Sequence, residues 1–213
     1  MPKIYVVNNS IENPNIVGNP FLRPELSWSV DAAFEHNGKD GLNYAVRAKV
    51  QSIDDIHREV VFEADNAFWK KFVNAGSAQS ESIELSTQFP LKRVMDNGPD
   101  MDFSASYSHF WSDVKDFSSP YNSLTPYKYV MTFGANYRAK DIPLTAGLSA
   151  KIQDSHWQQI SLTERQYVKT PKNVDLYALW KFDKQSQLRF AVNNVLGGKA
   201  YDSLSYASVG NSR

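Results

Sequence analysis

The chain has 213 residues, and 23 Lys plus Arg are balanced by 23 Asp plus Glu, so its formal net charge is zero. With no basic run interleaved with aromatics, nothing in it builds a field that recruits nucleic acid or an acidic membrane surface. The absence of cysteine excludes disulfides, zinc–thiolate sites and cysteine nucleophiles, and no stretch approaches the roughly 18 consecutive apolar residues of a membrane-spanning helix.

The first predicted element is a stiff entry segment. Pro20 and Pro24 fix two φ angles and push Asn19 and Arg23 toward extended geometry, while Gly18 and Asn19 permit a turn. From there, apolar and polar residues alternate. Leu26, Trp28, Val30, Ala32 and Phe34 alternate with Ser27, Ser29, Asp31, Ala33 and Glu35. Leu42 to Val50 repeats the pattern against Asn43 to Gln51, and Ile83 to Phe89 against Ser82 to Gln88. Met101 to Tyr107, Tyr129 to Tyr137, Leu144 to Ile152, Val174 to Phe182 and Leu188 to Val192 complete eight runs. A period of two places successive side chains on opposite faces, so each run is a strand with one apolar and one polar face.

The connections alternate as well. Asn37–Gly41, Ala139–Pro143 and Asp183–Gln187 are hairpin-sized, whereas Ile56–Ser77, Asp113–Tyr127 and Asp154–Asn173 are long and polar. Pro90–Asp100, with Asn97-Gly98-Pro99, is the irregular member. Short turns on one side, long loops on the other and strands with one apolar face together predict an all-β, antiparallel up-and-down meander of about eight strands in a transmembrane barrel. Aromatics near run ends, among them Trp28, Phe34, Phe89, Trp111, Tyr137 and Trp180, fit an interfacial girdle against outer-membrane lipid.

Three stretches carry a resemblance. Gly18-Asn19-Pro20-Phe21-Leu22-Arg23-Pro24-Glu25-Leu26-Ser27 resembles the loop-to-strand signature of TonB-dependent outer-membrane receptors. Val73-Asn74-Ala75-Gly76-Ser77-Ala78, leading to Ile83-Glu84-Leu85, resembles that family's loop exit before a barrel strand, and Leu188-Arg189-Phe190-Ala191-Val192-Asn193-Asn194-Val195-Leu196 with Tyr201-Asp202 its segment near the C-terminus. The resemblance implies that residues 1–213 are the C-terminal portion of a 22-stranded barrel. It further implies that a plug domain, the earlier strands and the last strand lie elsewhere, and that Pro2-Lys3-Ile4-Tyr5 makes Met1 an internal methionine. The parent would be a transporter in the bacterial outer membrane, not an enzyme. It would take up a scarce solute such as a ferric siderophore, with the TonB complex engaging it through the plug. No resident cofactor or metal is implied.

No catalytic constellation emerges from the residues. Asp154, Ser155 and His156 are adjacent and do not converge on one substrate atom; His36, His57, His109 and His156 lack metal-ligand spacing. Asp54-Asp55 lacks the glycine-containing calcium loop. The ligand-contact candidates are Phe68, Trp69, Lys70 and Lys71, followed by Phe72, expected in an extracellular loop at the barrel mouth. Two alternatives share part of the pattern: a passive porin-type barrel and a soluble β-sandwich binding module. A third, an outer-membrane lipase, lacks a Ser–His pair.

Overall fold

A computed structural model describes residues 9–115, 127–159 and 164–206. In chain order its strands are β1 (Asn15–Ile16), β2 (Leu26–Asn37), β3 (Asn43–Asp54), β4 (His57–Ala64), β5 (Ala67–Asn74), β6 (Ser77–Pro90) and β7 (Asp100–Val114). Then follow β8 (Tyr129–Arg138), β9 (Leu144–Gln153), β10 (His156–Gln159), β11 (Glu164–Lys169), β12 (Asn173–Lys181), β13 (Gln187–Val192) and β14 (Tyr201–Tyr206). Eight of them form one antiparallel sheet in the order β13-β12-β9-β8-β7-β6-β3-β2, a meander in which every alternating run is a strand.

The register keeps each face continuous across strands. Phe34 stands opposite Val46, Val46 opposite Leu85, Leu85 opposite Tyr107, Tyr107 opposite Met131 and Met131 opposite Ile152. On the other face Asp31 stands opposite Lys49, Arg47 opposite Glu84 and Ser106 opposite Thr132. A one-residue slip anywhere would exchange the two faces, which is why so regular a pattern specifies register.

Nothing among the described residues packs across the apolar face. Among the described residues only Ile56, Ala78, Val114 and Ala135 are buried hydrophobics, while Phe34 is 60% exposed, Leu85 44%, Phe133 46% and Leu176 42%. A soluble sandwich would bury this face against a second sheet; here an apolar wall far larger than a soluble monomer's patches stays open. Lipid is the solvent that suits it. Aromatics bracket the wall: Phe89, Phe103, Tyr137 and Trp180 toward the short turns, Trp28 and Trp111 toward the long connections. From Phe103 to Trp111 is eight residues, about 27 Å of strand, which at a tilt near 40° covers about 21 Å of depth, close to the roughly 25 Å apolar band of outer-membrane barrels.

The short turns are tightly built. Gly38 N–H donates to Leu42 O at 2.8 Å, and Gly41 closes the bend at φ +83°. The expected irregular connection after Pro90 is a 3₁₀ turn, Leu91–Arg93, and Arg93 pairs with Asp40 of the neighbouring short turn. At the other end the structure departs from expectation. Ile56–Ser77 and Asp154–Asn173, expected as loops, fold into further β structure: β4 and β5 pair as a hairpin edged by β1, and β10, β11 and β14 form a second small sheet. Of the stretch Asp113–Tyr127, residues 116–126 lie outside the described residues, as does the segment Pro2–Tyr5.

The inner face also changes character near the long connections. Ile56, Ala78 and Val114 pack together with Ile53 as a small apolar cluster. Ile56 is held by its own N–H donating to Gly76 O at 3.1 Å and by Ala75 N–H donating to its carbonyl at 2.7 Å. This cluster anchors the β4–β5 hairpin to the barrel rim.

Candidate functional site

The hairpin has two unlike faces because a strand alternates. Its turn, Asp65-Asn66, has φ of 53° and 56° at its two central residues, the left-handed pair of a two-residue type I′ hairpin. Phe62 stands opposite Trp69 and Val60 opposite Lys71, so Arg58, Phe62, Trp69 and Lys71 share one face. The Lys71 ammonium lies 5.1 Å from the Phe62 ring centroid, and the Trp69 indole N–H donates to Ala64 O at 3.2 Å. Burial pulls the Arg58 guanidinium below its usual pKa, partly offset by the Glu25 carboxylate. The opposite face carries Glu59, Glu63, Phe68 and Lys70, with the Lys70 Nζ 3.2 Å from Glu59.

The four candidates Phe68, Trp69, Lys70 and Lys71 are therefore on strand β5 rather than in a loop, and they divide by parity. Trp69 and Lys71 can touch one ligand together; Phe68 and Lys70 look the other way, and Lys70 already faces a carboxylate. Phe62 and Arg58 complete the aromatic and cationic face, and only the β4–β5 pairing brings them together with Trp69 and Lys71.

Sequence reasoning missed a second surface. In the β10-β11-β14 sheet, Trp157 stands opposite Tyr167, Tyr167 opposite Ser203 and Lys169 opposite Tyr201. The Trp157 and Tyr167 rings are 5.1 Å apart and those of Tyr167 and Tyr201 6.1 Å. The Arg165 guanidinium lies 4.8 Å from the Trp157 ring and the Lys169 ammonium 5.7 Å from the Tyr201 ring. Such a face offers stacking area and positive charge side by side.

The signature Gly18–Ser27 ties the hairpin down. Arg23 Nη2 is 2.5 Å from Asp55 Oδ1, and Arg23 N–H donates to Asn74 Oδ1 at 2.9 Å. Asn74 Nδ2 donates back to the carbonyls of Arg23 and Asp55, both at 2.9 Å. Asn19 Nδ2 donates to Phe72 O at 2.9 Å, and Val17 N–H to Lys70 O at 2.9 Å. Asp55 is thus committed to Arg23. Among the described residues no group of three or more His, Asp or Glu side chains converges as metal ligands. The histidines sit apart, His36 stacked on Tyr44 at 4.9 Å and His109 against Tyr107 and Trp111 on the outer wall. Asp154, beside Ser155 and His156, instead caps the β8 entry, its carboxylate accepting from Lys128 and Tyr129 N–H at 2.8 and 3.2 Å.

A lipid-facing sheet with paired charges on its inner wall and ribbons beyond one rim defines the class as a membrane β-barrel wall. The model of the outer membrane protein beta-barrel family matches residues 7–210, and the chain belongs to that family and to the outer membrane. A search of curated proteins finds no match. Among solved structures, the chain is similar to the FrpB iron transporter from Neisseria meningitidis (F3-3 variant), with TM-score 0.60 and 17% identity over 86% of this chain. The match covers 28% of that transporter, so the chain spans little more than a quarter of its length.

Proposed function

We propose that these residues are the C-terminal wall of a plugged, TonB-dependent receptor that imports a scarce solute, a ferric siderophore being the first candidate. The observation that carries the reading is the pair of aromatic and cationic faces on ribbons beyond one rim of the lipid-facing sheet, where a mouth would gather a ligand. Among the described residues both terminal strands of the sheet, β2 and β13, have open edges, and a sheet in lipid must pair its edges. Further strands of the same barrel would close them, and a plug would fill a lumen of that size. The likeness to an iron transporter supports the same reading.

In this account Trp69, Lys71 and Phe62 on one ribbon, and Trp157, Arg165, Tyr167, Lys169 and Tyr201 on the other, contact the ligand before the plug rearranges. The test is uptake of radiolabelled ferric siderophores into cells with and without the full-length protein under iron limitation. Uptake that an uncoupler or loss of TonB abolishes supports active transport. Uptake indifferent to both would replace the proposal with the passive porin reading.

A further inference from the structure

We propose that His156 is an acid-sensitive latch on the β10-β11-β14 ribbon, and that protonation of its ring opens the strand carrying Trp157. The effect on ligand rests on the receptor reading above; the opening of the ribbon does not.

Of the four histidines, His156 is the one whose ring is enclosed without a partner. His57 Nε2 lies 2.6 Å from Arg23 O, His109 Nδ1 lies 2.8 Å from the Tyr107 hydroxyl, and His36 is exposed. Both ring nitrogens of His156 are shut off from solvent, and among the described residues neither has a hydrogen-bond partner. The base of the strand is clamped beside it. Thr170 N–H donates to Ser155 Oγ at 3.3 Å, and the Thr170 hydroxyl donates to Asp154 O at 2.8 Å.

The pairing sets what shares a face with the ring. Val168 on β11 stands directly opposite, and Gln158, Gln166, Asp202 and Leu204 occupy the same face. The polar groups among them are engaged with one another. Gln158 Nε2 donates to Gln166 Oε1 at 2.6 Å, and Gln166 Nε2 donates to Asp202 Oδ2 at 2.8 Å. Glu164 stands four residues along β11 from Val168, at the far end of the strand. Asp154, just before β10, accepts from Lys128 and Tyr129 N–H instead. The cations Arg165 and Lys169 belong to the other face, against the Trp157 and Tyr201 rings.

A neutral imidazole has one donor and one acceptor, whereas the imidazolium has two donors and a charge. Such a cation, enclosed with neither water nor an acceptor, is costly, so the added proton favours a conformation in which the ring reaches water. A ring freed to water takes its proton near the ordinary imidazole value of about 6.5. The closed ribbon therefore keeps its full stability above that value and loses it as pH falls below. Successive side chains on a strand point to opposite faces, so moving His156 also moves Trp157 away from Tyr167 and Arg165. Acid thereby splits the aromatic and cationic face.

Amide exchange of the full-length protein, expressed relative to intrinsic rates, tests the latch. Between about pH 7.5 and about pH 5, either side of the ordinary imidazole value, protection across β10 and β11 should fall at least about tenfold. Protection in the barrel strands should hold. His156→Phe and His156→Gln, which cannot take the proton, should keep the ribbon protected in acid, and either variant suffices if the other misfolds. Unchanged protection in the parent, or the same fall in both variants, would overturn the latch. Asp202→Asn should leave the fall in place; its loss there would assign the switch to Asp202 and overturn the role of His156. For the ligand, titration with a ferric siderophore that the protein imports should show a larger acid loss of affinity in the parent than in His156→Phe. Equal losses would overturn the regulatory role. If the protein imports no ferric siderophore, the receptor reading fails, and the exchange measurements still decide whether the latch exists.

Discussion

The Glu25 carboxylate accepts a hydrogen bond from the backbone N–H of His57 at 2.5 Å, joining residues 32 apart in the chain. The His57 ring reaches in the same direction, its Nε2 lying 2.6 Å from Arg23 O. The charged residues of the signature segment thus fasten the entry to β4, Arg23 at Asp55 and Glu25 at His57, and the segment's stiffness from Pro20 and Pro24 holds them in position. Glu25→Ala should free the β4–β5 hairpin without unfolding the barrel, at a local loss of about 1 kcal/mol for an exposed hydrogen bond of this kind. Hydrogen exchange on the full-length protein would read it as faster exchange confined to residues 57–74. Unchanged exchange there would remove the fastening role.

The hairpin turn offers an independent handle. Asp65 and Asn66 both occupy left-handed backbone, which β-branched residues adopt only with strain of about 1–2 kcal/mol. Asn66→Gly should keep or tighten the hairpin, and Asn66→Val should fray it. Opposite responses in exchange at Ala64 and Ala67 check the prediction.

Parity on β5 predicts how binding divides. Trp69→Ala and Lys71→Ala should each weaken ligand binding, about three- to tenfold for lost stacking or cation–π contact. Phe68→Ala and Lys70→Ala should change it little. Equal losses at all four positions, measured by titration of the full-length protein with its transported solute, would contradict a one-faced site.

The turn between β12 and β13 carries a pH dependence. Asp183 Oδ1 accepts from Gln185 and Ser186 N–H, both at 2.7 Å, and these backbone bonds hold its carboxyl below the ordinary carboxylate range. A depressed folded pKa stabilises the turn above the unfolded value, and that stability is lost as pH falls through the folded value. The turn should hold throughout neutral and mildly acidic pH and loosen only in strong acid. Asp183→Asn should flatten this dependence, read from amide exchange at Gln185 and Ser186 across an acid titration.

Much of the wall is legible in the sequence, because lipid on one side and water on the other force a strict alternation, as at Val46, Arg47 and Ala48. Strand ends are less so: β7 runs on to Val114, where the inner side chains Phe110 and Val114 no longer keep the polar rule. The ribbons were hidden for a related reason. Beyond the rim neither face meets lipid, so on β4 and β5 the charges Glu59, Glu63 and Lys70 share a face with Phe68 and Phe72. The Asp65-Asn66 turn also lacks the glycine that marks most such hairpins. The Trp157–Tyr167–Tyr201 face was out of reach for another reason, since it joins residues from three strands, one of them β14, that only the pairing brings together.

The most direct test of the membrane wall compares two neighbours on β3. Val46 lies on the apolar face between Phe34 and Leu85, and Ala45 on the polar face between Glu35 and Ser86. In the full-length protein, unfolding from lipid vesicles should show Val46→Arg destabilised by about 2–4 kcal/mol, the midplane penalty for arginine facing lipid. Ala45→Arg, beside a carboxylate and facing water, should stay close to the parent. Equal stability of the two variants, or a larger loss for Ala45→Arg, would contradict the assignment of the faces and with it the barrel wall.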